Sequence, residues 1–267
     1  MKTPFSTTTP SFLLLGDSHV GVVGQAAKAR QLPFSGGPLG AGRDFGVDFF
    51  SLAPDDVVFR DAELERLYRQ ALAQLEAPSL GKIPGPLVSS IGLSLHYLAT
   101  RQNWLCYQGL DGEFDPGFLE GPLFATIIDT LSRPALAFYE QALGLGLKVY
   151  AVLPPQRVPP MADARVFMAA QALLIERLTA LDVELVDVRA ATNDDQGLQR
   201  AEFCEVDDPL HGNLAFGERV LEQLLRQVGL APCVCPTSAL QRCCDRAPLA
   251  RRIADESAPT VVTCHHR

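Results

Sequence analysis

The chain has 267 residues, 47% of them hydrophobic and 20% charged, with a net charge of −8. That composition supports one substantial folded core, and the acidic balance disfavours phosphate backbones, so nucleic acid is not an expected partner. No run of about 20 apolar residues occurs, so no membrane span is expected.

The first apolar run is short. Ser11 to Leu15 ends at Gly16 and is too brief for the core of an export signal, so it reads as a strand buried on both faces. Together with an odd count of seven cysteines, this points to a reducing, cytoplasmic setting. Residues 18–30 pattern as a helix with Asp17 or Ser18 near its cap. Residues 31–46, rich in Gly and Pro, predict a short strand and a loop. Val47 to Leu52 is a further apolar stretch. Residues 61–77 are amphipathic, with Leu64, Leu67, Tyr68, Ala71 and Leu75 on one face. Pro86 to Leu93 resembles a strand ending at a glycine. Residues 123–146 are helical in pattern, with a break expected near Ser132-Arg133-Pro134. Lys148 to Leu153 predicts a strand closed by Pro154-Pro155. A long helix over 162–181, a strand at Val183 to Val188 and a last helix over 213–228 complete the pattern.

Strands alternating with helices imply an α/β fold, a mainly parallel sheet covered on both faces. The expected organisation is a flexible segment over residues 1–10, a domain over 11–231 and a Cys-rich, disordered tail over 232–267. The tail holds Cys233, Cys235, Cys243, Cys244, Cys264, His265 and His266. Their spacing lacks paired Cys-x-x-Cys knuckles, so no metal site is expected there.

The chemistry concentrates near the two ends of this domain. Ligands of open α/β sheets bind beyond the carboxyl ends of the strands, where Ser18 of Leu15-Gly16-Asp17-Ser18-His19 falls. A helix starting there points free N–H groups and its positive dipole end at a developing oxyanion. A serine hydroxyl is a weak nucleophile and needs a base. Among five histidines, His211 is the best placed, in the loop Asp207-Asp208-Pro209-Leu210-His211-Gly212-Asn213 before the last helix. One loop turn lets the Asp208 carboxylate hold the imidazole Nδ1–H and leaves Nε2 for Ser18. The alternatives are a helix cap at Ser18 and a turn residue at Asp208.

Gly16-Asp17-Ser18 after an apolar strand, with Asp208-x-x-His211 before the last helix, resembles the SGNH, or GDSL-type, serine hydrolase superfamily. His19 replaces the commonest Leu of the first block. The resemblance covers about residues 11–229. It implies a flavodoxin-like three-layer α/β/α sandwich with a mainly parallel five-stranded sheet, a small-molecule or acylated substrate, and no cofactor. Two middle blocks of that family supply oxyanion donors. A glycine after the second strand is matched within Phe34 to Gly42, Gly40 being the first choice and Gly37 the second. A Gly-x-Asn after the third strand is matched by Gly92-Leu93-Ser94, with Ser94 where Asn is expected. A hydroxyl reaches less far than an amide and has one donor hydrogen instead of two. His96, two residues on, is a further candidate for the site, or else a half-buried packing residue. Trp104, Tyr107 and Phe114 stand as candidates for an acyl pocket or for core packing. The expected activity is ester hydrolysis through an acyl-enzyme on Ser18. Acyl transfer on the same triad, or a binding protein of little activity on the same fold, are the alternatives.

Overall fold

A computed structural model describes residues 12–229. The segment 1–10 and the Cys-rich tail 232–267 lie outside the described residues. In chain order the elements are β1 (Leu13–Gly16), α1 (Val20–Ala29), β2 (Ser35–Pro38), β3 (Phe50–Ala53), β4 (Asp56–Phe59), α2 (Ala62–Gln74), β5 (Leu87–Ser89), α3 (Pro122–Gly144), β6 (Val149–Val152), α4 (Ala164–Ala180), β7 (Glu184–Val186), a short α5 (Arg189–Thr192) and α6 (Leu214–Val228).

Five strands make one parallel sheet in the order β2-β1-β5-β6-β7. Successive side chains of a strand point to opposite faces, so β1 contributes to both sides of the sheet. Leu13 and Leu15 join the core formed with α2, α3 and α4, which includes Tyr68, Phe138 and Val166. Phe12 and Leu14 join the core formed with α1 and α6, which includes Val23, Val220 and Leu224. The result is a three-layer α/β/α sandwich. Both faces of the sheet are covered, which explains why its central strands β1, β5 and β6 are buried along their length.

The strand order sets where a ligand can bind. From β1 the chain crosses to β2 on one side, then returns to β5 on the other. The carboxyl ends of β1 and β5 therefore flank the switch point, where helices diverge and leave a crevice.

Two expectations change, and one unassigned apolar stretch finds its place. The helix over 122–144 runs unbroken through Pro134. Proline removes one helical hydrogen bond, but Phe124 and Ile128 before it and Phe138 and Tyr139 after it are all buried, and that packing holds the two halves in line. The stretch Val47 to Leu52 is not a strand of the main sheet. Its end forms β3, which pairs antiparallel with β4 in a separate hairpin, Phe50 facing Phe59. Asp55 makes the tight turn at φ 56°. The third sheet strand stops at Ser89, and residues 90–93 form a turn closed by the Leu93 N–H donating to the Ser90 carbonyl at 3.0 Å. Among the described residues, no helix is long and apolar enough to cross a membrane.

Candidate active site

Ser18 lies two residues past β1 and is exposed, while its neighbours Asp17 and His19 are buried. It does not cap α1, whose first turn has no side-chain cap. Instead the Gly21 N–H donates to the Ser18 carbonyl at 3.0 Å and the Val20 N–H to the Asp17 carbonyl at 3.2 Å. The hydroxyl is left free, and it lies 2.7 Å from His211 Nε2.

His211 comes from the loop before α6. Asp208 shapes this loop with one carboxylate oxygen and orients the ring with the other. Its Oδ1 accepts the Leu210 N–H at 2.7 Å and the His211 N–H at 2.9 Å. Its Oδ2 lies 2.7 Å from His211 Nδ1. The tautomer that satisfies both contacts carries its proton on Nδ1 and offers the Nε2 lone pair to Ser18. Burial works to raise the Asp208 pKa, but the Leu210 N–H, the His211 ring and the His211 N–H outweigh it and pull the carboxyl down to about 2. Asp208 is thus a carboxylate at neutral pH. Arg157, in the proline-rich loop after β6, donates to the His211 carbonyl at 2.7 Å and pins the loop from behind. Asn213 caps α6 through the Phe216 N–H at 3.2 Å, fixing the other end.

Two of the oxyanion candidates, Ser94 and Gly37, face away from the Ser18 hydroxyl's partners. Ser94 is 2% exposed, and its hydroxyl donates to Asp17 Oδ2. Its one proton is engaged there. Asp17 also accepts the Ser90 hydroxyl at 2.8 Å and the His19 N–H at 3.0 Å. This buried carboxylate therefore ties the exit of β1 to the turn after β5. Gly42 seals the arrangement, since a Cβ there would stand 2.5 Å from Ser94 Cβ and 3.2 Å from Asp17 Oδ2. Gly37 is the second of the two. It lies within β2, paired with Leu15, and lines a different hollow beside Gln70 and Gln74. Gly40 lies past the strand, just after Leu39, whose N–H donates to the Gly16 carbonyl at 2.8 Å. The N–H groups of Ser18 and Gly40 donate to no other described residue.

His96 makes no hydrogen bond to Ser18, Asp208 or His211. Its ring stands edge-on to His19 at 6.4 Å between centroids and edge-on to Tyr97 at 5.9 Å. The cleft shared by Ser94, His96, His19 and Arg157 encloses only about 10 Å³, room for one water and no substrate group. His19, in turn, packs against the His211 ring with centroids 4.9 Å apart. Burial drives its pKa down to about 4, opposed by Asp17 and reinforced by His211 and His96. A neutral His19 thus backs the His211 ring. The sequence carried no sign of this contact, nor of Arg157.

Trp104 and Tyr107 line a hollow of about 300 Å³ with Tyr97 and Ile127. Phe114 does not belong to it and stacks on Phe118 beneath Arg165. No group of three or more His, Cys, Asp or Glu side chains among the described residues is arranged to hold a metal ion.

The chain is similar to solved structures of GDSL-family hydrolases. They include a lipolytic protein of the G-D-S-L family from Desulfitobacterium hafniense, with TM-score 0.48 and 10% identity over 81% of this chain and 98% of that one. A GDSL-like lipase from Bacteroides thetaiotaomicron gives TM-score 0.44 and 12% identity over 82% and 87% of the two chains. A lipase/acylhydrolase from Enterococcus faecalis gives TM-score 0.43 and 14% identity over 82% and 95%. No family model and no curated protein matches the chain.

Proposed function

We propose that the chain is an SGNH-type serine hydrolase that cleaves an ester or related acyl bond through an acyl-enzyme on Ser18. The observation that carries this reading is the unbroken relay from Ser18 Oγ to His211 Nε2 and from His211 Nδ1 to Asp208 Oδ2, each step 2.7 Å. Ser18 attacks the carbonyl as His211 takes its proton. The imidazolium that forms is stabilised by Asp208, which remains a carboxylate. His211 then gives the proton to the leaving alcohol. Water, deprotonated by the same ring, releases the acid and restores Ser18.

The developing oxyanion falls to the amides of Ser18 and Gly40, which have no competing acceptor among the described residues. With Ser94 engaged elsewhere, this hole has two backbone donors. Loss of one donor typically costs about 10² to 10³ in rate, so the enzyme is expected to be slow on unactivated esters. The exposure of Ser18 to solvent favours water over another acyl acceptor, and so hydrolysis over transfer. The free thiols of Cys106 and Cys204 fit a cytoplasmic location.

The test is turnover of p-nitrophenyl esters by wild type and by Ser18→Ala. The variant is expected to lose about 10⁴-fold or more in kcat. Equal turnover by the two proteins would overturn this function.

A further inference from the structure

We propose that the outer edge of β3 and the adjoining face of α3 form a two-fold interface with a second copy of this chain. The proposal stands apart from the serine-hydrolase reading, since none of its residues belongs to the Ser18–His211 site.

The β3–β4 hairpin has two outer edges, and they are finished differently. On β4 the outward groups are covered by side chains. The Phe59 N–H donates to Glu65 Oε2 at 2.8 Å and the Val57 N–H to Asp56 Oδ1 at 2.9 Å, while Arg69 donates to the Val57 carbonyl at 3.1 Å. On β3 the register decides which groups turn outward. The Arg60 N–H donates to the Phe49 carbonyl at 2.9 Å, and hydrogen-bonded pairs alternate along an antiparallel ladder. Phe49, Ser51 and Ala53 therefore bond inward to β4, and Phe50 and Leu52 turn their N–H and C=O groups outward. None of these four groups bonds to another described residue. Leu52 is also 68% exposed. An open ladder beside an uncovered apolar side chain is a template for a further strand.

The surroundings of this edge complement themselves. A cleft of about 990 Å³ separates it from α3. Four charged side chains line the cleft, Asp48, Arg60, Arg133 and Glu140. Asp48 and Arg60 pair with each other at 2.7 Å. Arg133 and Glu140 are exposed and pair with no described residue. Seven residues apart, they lie on one face of α3, separated by about 10 Å along its axis. A two-fold axis sets α3 antiparallel to its copy and each Arg133 beside the second copy's Glu140. Ala137 lies between them on the same wall, and its small side chain lets the helices approach.

The same axis suits the strands. Passing through Ser51, it sets Phe50 opposite the second copy's Leu52 and Leu52 opposite the second copy's Phe50. The outward groups of both strands then meet as hydrogen-bonded pairs, and two hairpins become one four-stranded antiparallel sheet. Asp48 falls opposite Pro54, so no like charges meet. The centres of strand and helix lie at one level, because the Phe50 ring packs edge-on to Phe138, next to Ala137, with centroids 5.9 Å apart. Both halves of the interface thus share one axis, as an isologous contact requires. An unrelated extended peptide would satisfy the strand edge but would leave Arg133 and Glu140 without a role.

The experiment measures dimer dissociation of the full chain by sedimentation equilibrium, with a reductant present so that no thiol cross-link contributes. Wild type is compared with Arg133→Glu, Glu140→Arg, the double exchange R133E/E140R, and an equimolar mixture of the two single variants. Wild type is expected to dimerise below about 100 μM. Each single exchange sets like charges together twice per dimer and is expected to weaken it at least about tenfold. The double exchange is expected to return to within about threefold of wild type. The mixture is expected to form a heterodimer of similar strength, because it restores both opposite-charge contacts. Leu52→Lys, which charges the apolar strand pair, is expected to weaken the dimer at least about tenfold as well. Far-UV circular dichroism confirms that each variant is folded. A monomer at every concentration up to about 100 μM overturns the proposal. So does a dimer indifferent to the exchanges, or one that the single exchanges break and the double exchange does not restore.

Discussion

Replacing His19 with Met will make the stability of the protein less sensitive to mild acid. His19 is 6% exposed, and its Nδ1 has no hydrogen-bond partner among the described residues. Burial is the main influence on it and disfavours the charged form, so the folded pKa is about 4 against 6.5 for an ordinary histidine. As pH falls from neutrality, protons therefore bind the unfolded chain first. The contribution of His19 to stability is fully present above pH 6.5 and is lost as pH falls toward 4. For one site with those two values, the loss between pH 7 and pH 5 is about 2 kcal/mol. That is a large fraction of the roughly 5–15 kcal/mol typical of a folded domain. Met is apolar, fills irregular space and carries no proton. Urea unfolding at pH 7 and pH 5 measures the difference. The wild type will lose about 2 kcal/mol more than His19→Met over that interval. His96, also held down by burial, leaves a smaller slope of the same sign in the variant. Equal losses in the two proteins would refute a buried neutral His19 as the source.

Other substitutions probe the remaining parts of the site and fold. Asp208→Asn keeps the shape of the loop but favours the wrong His211 tautomer, and kcat will fall by about 10⁴ with KM little changed; steady-state kinetics check it. Ser94→Ala leaves the buried Asp17 carboxylate one donor short, so stability will drop by about 1–3 kcal/mol in urea unfolding. Turnover by that variant will change far less than the roughly 10² to 10³ expected of an oxyanion donor, and a loss of that size would restore Ser94 to the oxyanion hole. Gly217→Val will lower the melting temperature by several degrees. A Cβ at Gly217 would lie 2.4 Å from the Val22 carbonyl, so α1 and α6 must separate, at a cost of about 1–3 kcal/mol.

The features legible in the sequence were mostly local or periodic. The alternating faces of β1 and the amphipathic α2 and α6 arise from residues close in the chain. The turn that joins Asp208 to His211 does too, because both oxygens of one carboxylate act within three residues. The parallel order of the sheet is a consequence of alternating strands and helices. The features that stayed hidden depended on distant partners. Ser94 occupied the expected place in its block, yet its proton goes to Asp17, 77 residues away. Spacing alone does not separate the roles of Gly37 and Gly40, because only the strand register distinguishes a ladder position from a loop amide. β4 was missed because Asp56 opens it, and that acidic residue is accommodated by Tyr68 and Arg69 of α2. Pro134 signalled a break that tertiary packing on both sides overrides.

Activation of Ser18 as a nucleophile by His211 is the centre of the proposed function. The most direct measurement is covalent labelling of the folded protein by a fluorophosphonate, with the modified peptide located by mass spectrometry, in wild type and in His211→Ala. One label is predicted, on Ser18, formed rapidly in wild type and at least about 10³-fold more slowly in the variant. A label on any other residue, or equal labelling of Ser18 in both proteins, would contradict it.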